Sequence, residues 1–378
     1  MLIIRNSVCC VLAIFSVSLI FSLRVSGQKT CQWEILPEFQ KKFSEKHRKN
    51  TESEGSPSSV ETIYFVNEKR GFITGTDFVA ATTDGGKNWK IRKIKPALIN
   101  EIYFADENKG WQILVGESSI IEIYQTLDGG KTWKYLKEIS ESFGSKSDAR
   151  VFGYAPTILK VRFLSDNIVW SVGLKKVGDN LEYAIWKSIN NGKTWETKYL
   201  SNESIVRKTL EASFVKLTDN RLIVASNGII LLSEDDGESW KETANINISK
   251  TAASDFFSDF DFADENDVWA ITGVGGKVFL SPNGGVDWKE FKLGLKDEDS
   301  YKFTSVKFID TQKGWIAGLK NNGEKTTGII LFTTNGGKTW TTECQVNSTA
   351  ITAMIKTSRY IWGIDSNNLI LRRQFYPR

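Results

Sequence analysis

Six short stretches of this sequence gather residue types able to do acid–base or ion-binding chemistry: an acid or amide, glycine, a hydroxyl and a tryptophan within nine positions. They read TTDGGKNWK (82–90), TLDGGKTWK (126–134), SINNGKTWE (188–196), SEDDGESWK (233–241), SPNGGVDWK (281–289) and TTNGGKTWT (333–341). An acid repeated this often invites assignment as a general acid or a calcium ligand. The local chemistry favours a turn instead. Asp84, Asp128, Asn190, Asp235, Asn283 and Asn335 each offer an oxygen to turn amides two residues on. Gly86, Gly130, Gly192, Gly237, Gly285 and Gly337 permit positive φ without a Cβ clash. The Ser or Thr two positions earlier can add a hydroxyl bond. Each tryptophan then folds back under its hairpin, and its indole N–H seeks a carbonyl.

The tryptophans are Trp89, Trp133, Trp195, Trp240, Trp288 and Trp340, spaced 44, 62, 45, 48 and 52 residues apart. That is the period of a repeat with one supersecondary unit per copy, so the 378 residues read as one body rather than two average domains. Short runs with period-two alternation precede each turn, as in NEIYFAD (100–106), KGWQILVG (109–116) and IIEIYQT (120–126), and TWKYLKEI (132–139) follows it. Four strands make one unit. A second aromatic series occupies the second strand of its units: Trp111, Trp170, Trp269, Trp315 and Trp362, with Phe72 and Leu222 as the equivalents in units one and four. This series has seven members. The seventh unit (349–374) has three strands and no glycine turn, and CQWEILPE (31–38) is the expected fourth. Between that strand and unit one, residues 39–59 read as a polar insertion, a short helix with Phe39 and Phe43 on one face and then a linker. A further insertion is expected at 137–157.

Composition excludes several function classes. A formal charge of +4, with Lys and Arg interspersed among Asp and Glu, supplies no basic stripe for nucleic acid. The single histidine, His47, leaves no Ser-His-Asp triad, Cys-His pair or histidine zinc site. GVGGK (273–277) lies between strands and opens no helix, so it is no phosphate loop. No cofactor is implied. The N-terminus carries Arg5, an apolar run from Val8 to Phe21 and the small-residue site Val25-Ser26-Gly27, the pattern of a signal peptide over 1–27. An exported chain, 28–378 after cleavage, is the expectation; retention of the leader as an anchor is the alternative. Cys9 and Cys10 lie in that leader. Cys31 and Cys344 remain, either bridged in an oxidising compartment or present as two thiols.

The six stretches resemble the Asp-box, or BNR, repeat, Ser/Thr-x-Asp-x-Gly-x-Thr-Trp, departing at Asn88 and Asp287 and at three asparagines, departures expected to weaken individual turns. The resemblance implies an all-β fold: a single seven-bladed β-propeller of four-stranded antiparallel blades, with the N-terminal strand closing the last blade. It also implies a structural rather than catalytic role for the box residues. The pairings ADENKGWQILVG…TLDGGKTW and IDTQKGWIAGL…TTNGGKTW are similar to the photosystem II stability and assembly factor family. That similarity implies a non-enzymatic scaffold, extracytoplasmic (periplasmic or secreted), monomeric and at most peripheral to a membrane. It would bind a protein or peptide of the cell envelope during assembly of a complex. Members use a basic patch, but no individual arginine here matches it. The rival is a glycan-binding or glycoside-hydrolase propeller of sialidase type. The Arg-Ile-Pro motif of that class is missing, and its arginines would have to come from Arg70, Arg150, Arg162, Arg207 and Arg221, which fit no pattern.

Overall fold

The computed structural model describes residues 31–48, 60–94, 99–115, 121–139, 158–165, 167–177, 180–201, 212–216, 220–226, 228–245, 257–273, 275–323, 325–347 and 349–375. The leader, the linker 49–59 and most of the 137–157 insertion lie outside them. The described chain forms seven four-stranded antiparallel sheets, six of them in simple sequence order. In each, the first strand faces the axis and touches the first strands of both neighbours: Val60–Phe65, Ile99–Phe104, Ile158–Phe163, Ala212–Lys216, Phe257–Phe262, Tyr301–Phe308 and Ile351–Lys356. The ring is closed, and the fold is a seven-bladed β-propeller. No helix among the described residues is long and apolar enough to cross a membrane.

The seventh sheet takes its outer strand from the other end of the chain. Glu34–Leu36 pairs antiparallel with Ile370–Gln374, Glu34 opposite Arg372 and Leu36 opposite Ile370. Pairing both termini in one sheet removes an open edge. Cys31 and Cys344 form a disulfide that ties this strand to the outer strand of blade six, Thr341–Asn347. The helix that follows, Glu38–Arg48, is more than a spacer. Its Phe39 and Phe43 are buried, with Phe39 packed on Trp89 at 5.5 Å and Phe43 on Phe78 at 5.0 Å between ring centroids. Residues 31–48 therefore span blades six, seven and one.

Between blades the core is aromatic. Trp111, Trp170, Trp269, Trp315 and Trp362 are essentially inaccessible, each side chain of this kind contributing about 2–3 kcal/mol over its exposed state. The register corrects one equivalence: Leu222 pairs with Ser233 as Val169 pairs with Ser188, so Ile223, not Leu222, stands at the tryptophan position of blade four.

Candidate functional site

Each Asp-box joins the third and fourth strands of its blade, and its hydrogen bonds follow one scheme. The Ser or Thr hydroxyl donates to the Asp or Asn Oδ1 and accepts the N–H of the second glycine. In blade two Thr126 Oγ1 lies 2.8 Å from both Asp128 Oδ1 and the Gly130 nitrogen. The acid then accepts an N–H four residues on, rather than two. Asp84 takes that of Asn88, Asp128 that of Thr132, Asn190 that of Thr194, Asp235 that of Ser239, Asn283 that of Asp287 and Asn335 that of Thr339, all at 2.8–2.9 Å. The second side-chain atom meets the side chain of that same residue. Where a carboxylate stands in the box, a hydroxyl or amide donates to it, as from Thr132, Ser239 and Asn88. Where an amide stands there, the direction reverses: Asn190 and Asn335 donate to Thr194 and Thr339, and Asn283 donates to the Asp287 carboxylate at 2.8 Å. Asp84/Asn88 and Asn283/Asp287 are the same pair with donor and acceptor exchanged. The departures from the box pattern thus keep the side-chain bond.

The tryptophans complete the unit. Trp89, Trp195, Trp240 and Trp288 donate their indole N–H to the carbonyl of Gly86, Gly192, Gly237 and Gly285 at 3.0–3.1 Å. The second glycine has a further role between blades. At Gly237, with φ 81°, an added Cβ would lie 2.0 Å from the Trp170 ring of blade three, and at Gly337 2.4 Å from Trp269 of blade five. Only a residue without a side chain lets the tryptophan of one blade pass beneath the box of the next. Hydrogen bonds from Thr132 hold the Asp128 carboxyl down at about 2, and those from Ser239 hold Asp235 likewise. Such an acid is ionised and saturated with donors, which suits a turn and not proton transfer. Among the described residues no cluster of His, Cys, Asp or Glu is arranged to hold a metal ion.

The groups left for recognition surround the axis. The innermost strands enclose a cavity of about 320 Å³ with walls from six blades. Two charged walls face it. On one, Glu101 of blade two pairs with Lys160 of blade three. Burial opposes the ionisation of Glu101, but the Lys160 ammonium and the Arg162 guanidinium outweigh it and hold the carboxyl below the usual range. Tyr64 sits on the same side; burial pushes its phenol up, against a backbone bond at Phe104 and the charge of Arg162. On the other wall, Asp259 Oδ2 of blade five accepts from Lys307 Nζ at 2.5 Å, Ser305 Oγ at 2.7 Å and the Val306 N–H at 3.0 Å, all of blade six. Behind it the buried Asp261 binds the Phe308 N–H at 2.7 Å and Lys356 Nζ of blade seven at 3.0 Å. The hydroxyls of Ser258 and Thr304 donate to Phe303 and Ile351 carbonyls of the next blade. The channel is therefore polar and already paired, with both lining carboxylates neutralised by ammonium groups. Its volume suits a side chain or a short chain segment rather than a folded domain.

Sequence reasoning named the box residues, the two cysteines and, of the channel, only Arg162, which it weighed for the rival propeller class. One or two positions per inner strand, about 45 residues apart, line it, and no local pattern marks them.

Known proteins give this geometry a context. A family model described as photosynthesis system II assembly factor YCF48 matches residues 243–348. The photosystem II stability/assembly factor HCF136 of Arabidopsis thaliana is 23% identical over 295 residues, 74% of this chain and 66% of that protein, just under two thirds of its length. A solved structure of YCF48 bound to a D1 peptide superposes with a TM-score of 0.62 at 16% identity, covering 95% of this chain and all of that one. This chain is an Asp-box propeller similar to the photosystem II assembly factors. The same fold also serves catalysis elsewhere: virginiamycin B lyase from Staphylococcus aureus superposes with a TM-score of 0.58 at 14% identity, covering 84% of the assembly factor-like chain and 95% of the lyase.

Proposed function

We propose that the chain is a non-enzymatic scaffold that binds a protein or peptide segment at the axial channel, in the assembly or stability of a membrane or envelope complex. The observation that carries this reading is the state of its acids. The box carboxylates are consumed inside turns, and Glu101 and Asp259 are locked to lysines across blade boundaries. What remains at the axis is a preformed polar cavity with no acid–base pair set apart for proton transfer. Similarity to assembly factors, one of them solved with a peptide bound, supports a polypeptide ligand. The disulfide supports an oxidising compartment and hence export through the 1–27 leader, with the monomeric ring working alone.

Crosslinking in the native cell followed by mass spectrometry tests the reading. One stoichiometric protein partner, lost in a Lys160→Glu/Lys307→Glu variant that still unfolds cooperatively, is the expected result. Turnover of, or saturable binding to, a member of a glycan array would replace it with the rival propeller chemistry.

A further inference from the structure

Among the described residues six large apolar side chains stand exposed, and four of them belong to the boxes and outer strands of two adjacent blades: Leu127, Tyr135 and Leu136 of blade two and Ile189 of blade three. Leu127 and Ile189 are the most exposed, each at 69%. Both occupy the position between the hydroxyl residue and the acid of their boxes, the tip of the turn. The same position holds Thr83, Glu234, Pro282 and Thr334 in the other four boxes, so an aliphatic tip is not demanded by the turn. The box turns of adjacent blades face the same way, because each rests on the first hairpin of its own blade: Gly129 N–H binds the Asn108 carbonyl at 2.8 Å and Asn191 N–H that of Asn167 at 3.0 Å.

Charge follows the same sector. Lys87, Lys90, Arg92, Lys93, Lys131 and Lys134 are exposed on the boxes and outer strands of blades one and two. The acids of these two boxes, Asp84 and Asp128, are occupied by turn donors. Blade four shows the opposite, with Glu234, Asp235, Asp236 and Glu238 in one box. We propose that the basic, apolar-tipped arc of blades one to three docks on an anionic lipid bilayer, with Leu127 and Ile189 entering the interface and the lysines meeting the headgroups. A bilayer is favoured over an acidic protein because the aliphatic groups are convex tips, which a fluid interface accepts without a complementary pocket. Their turns are saturated with hydrogen bonds, so insertion orders nothing further. The lysine arc supplies the matching electrostatic attraction, which salt screens.

The test is co-sedimentation of the full chain with phosphatidylcholine vesicles and with mixed phosphatidylcholine/phosphatidylglycerol vesicles, at low and high salt. Wild type should partition onto the anionic vesicles only, less at high salt. Leu127→Ser/Ile189→Ser should lower that partition at least about tenfold, and Lys131→Gln/Lys134→Gln by about fivefold per lysine, with thermal unfolding unchanged in both. The control Pro282→Ser/Thr334→Ala, at the same turn position in blades five and six, should bind as wild type. Any contribution of the N-terminal apolar run is common to all four proteins. Equal binding to neutral and anionic vesicles, or an unchanged Leu127→Ser/Ile189→Ser variant, overturns the proposal. So does loss of an acidic protein partner from that variant while its vesicle binding stays intact, which would make the arc a protein-docking face.

Discussion

Six blades of this propeller carry their own lock, and the seventh borrows one. In a boxed blade, hydroxyl, acid, glycine and tryptophan lie within eight consecutive residues, and the turn closes on itself. Blade seven takes three strands from residues 351–374 and has no box, yet two of the box positions have counterparts. Trp33 immediately precedes the outer strand Glu34–Leu36 as Trp89 precedes Lys90–Lys93. Arg373, one residue beyond the partner of the first outer-strand residue, stands where Thr82 stands in blade one. With no box carbonyl to receive it, the Trp33 indole N–H donates to Glu343 Oε2 at 2.8 Å; Trp315 donates to the same oxygen at 2.8 Å and Arg373 Nε to Oε1 at 3.1 Å. Glu343, beside the disulfide on blade six, replaces by a buried carboxylate what four of the box turns do with a glycine carbonyl. Arg372 repeats another device: it reaches the Gly85 carbonyl of the next box as Lys187 reaches that of Asp236. A local lock costs little chain entropy, whereas the seam joins residues more than 300 positions apart and so depends on covalent and buried-charge fastening.

If that contrast is right, breaking the seam costs more than breaking a box. Cys31→Ser/Cys344→Ser should show the largest effect, a loss of up to about 6 kcal/mol on the chain-entropy account of so long a loop. Thermal unfolding with and without dithiothreitol measures it; a wild-type midpoint indifferent to reductant would mean that the buried contacts of residues 33–43 close the ring unaided. Next comes Trp33→Ala, at about 3–5 kcal/mol for a buried indole, against a smaller loss for Trp133→Ala, whose box tryptophan is only partly buried. Equal losses at the two sites, by denaturant titration, would erase the distinction between borrowed and local locks. Glu343→Gln follows at about 2–3 kcal/mol, because the amide keeps the shape but removes the charge facing Arg373.

The blades were legible because their information is local. Period, glycine turns and both aromatic series lie within single units, so blade number and the closing strand could be read directly from the sequence. Trp33 was legible as part of a strand but not as the seventh box tryptophan, since the rest of its box is at the other end of the chain. The helix at 38–48 read as polar because nine of its eleven residues are; two phenylalanines one turn apart suffice to bury it against Trp89 and Phe78. The channel was hidden for the opposite reason, that its pairs form between blades. Asp259 with Lys307 and Glu101 with Lys160 are neighbours only once the ring exists.

The six boxes also differ among themselves, and here the smallest effects are the most diagnostic. Asp128 and Asp235 titrate at about 2 in the folded protein against an ordinary 3.8. A depressed folded value means stability that is complete above the unfolded value and is lost as pH falls through the folded one, so these two turns should loosen between about pH 4 and pH 2. The Asn190–Thr194 and Asn335–Thr339 pairs have no carboxylate to protonate. Asp128→Asn/Asp235→Asn should therefore be nearly silent at neutral pH. The amides can donate to Thr132 and Ser239 as Asn190 and Asn335 donate to Thr194 and Thr339. In acid the variant should lose less stability than wild type, seen as a shallower fall of the unfolding midpoint over that window. A loss at pH 7 as large as that of Asp128→Ala would show that the charge itself, and not the exchangeable donor–acceptor pair, holds the turn.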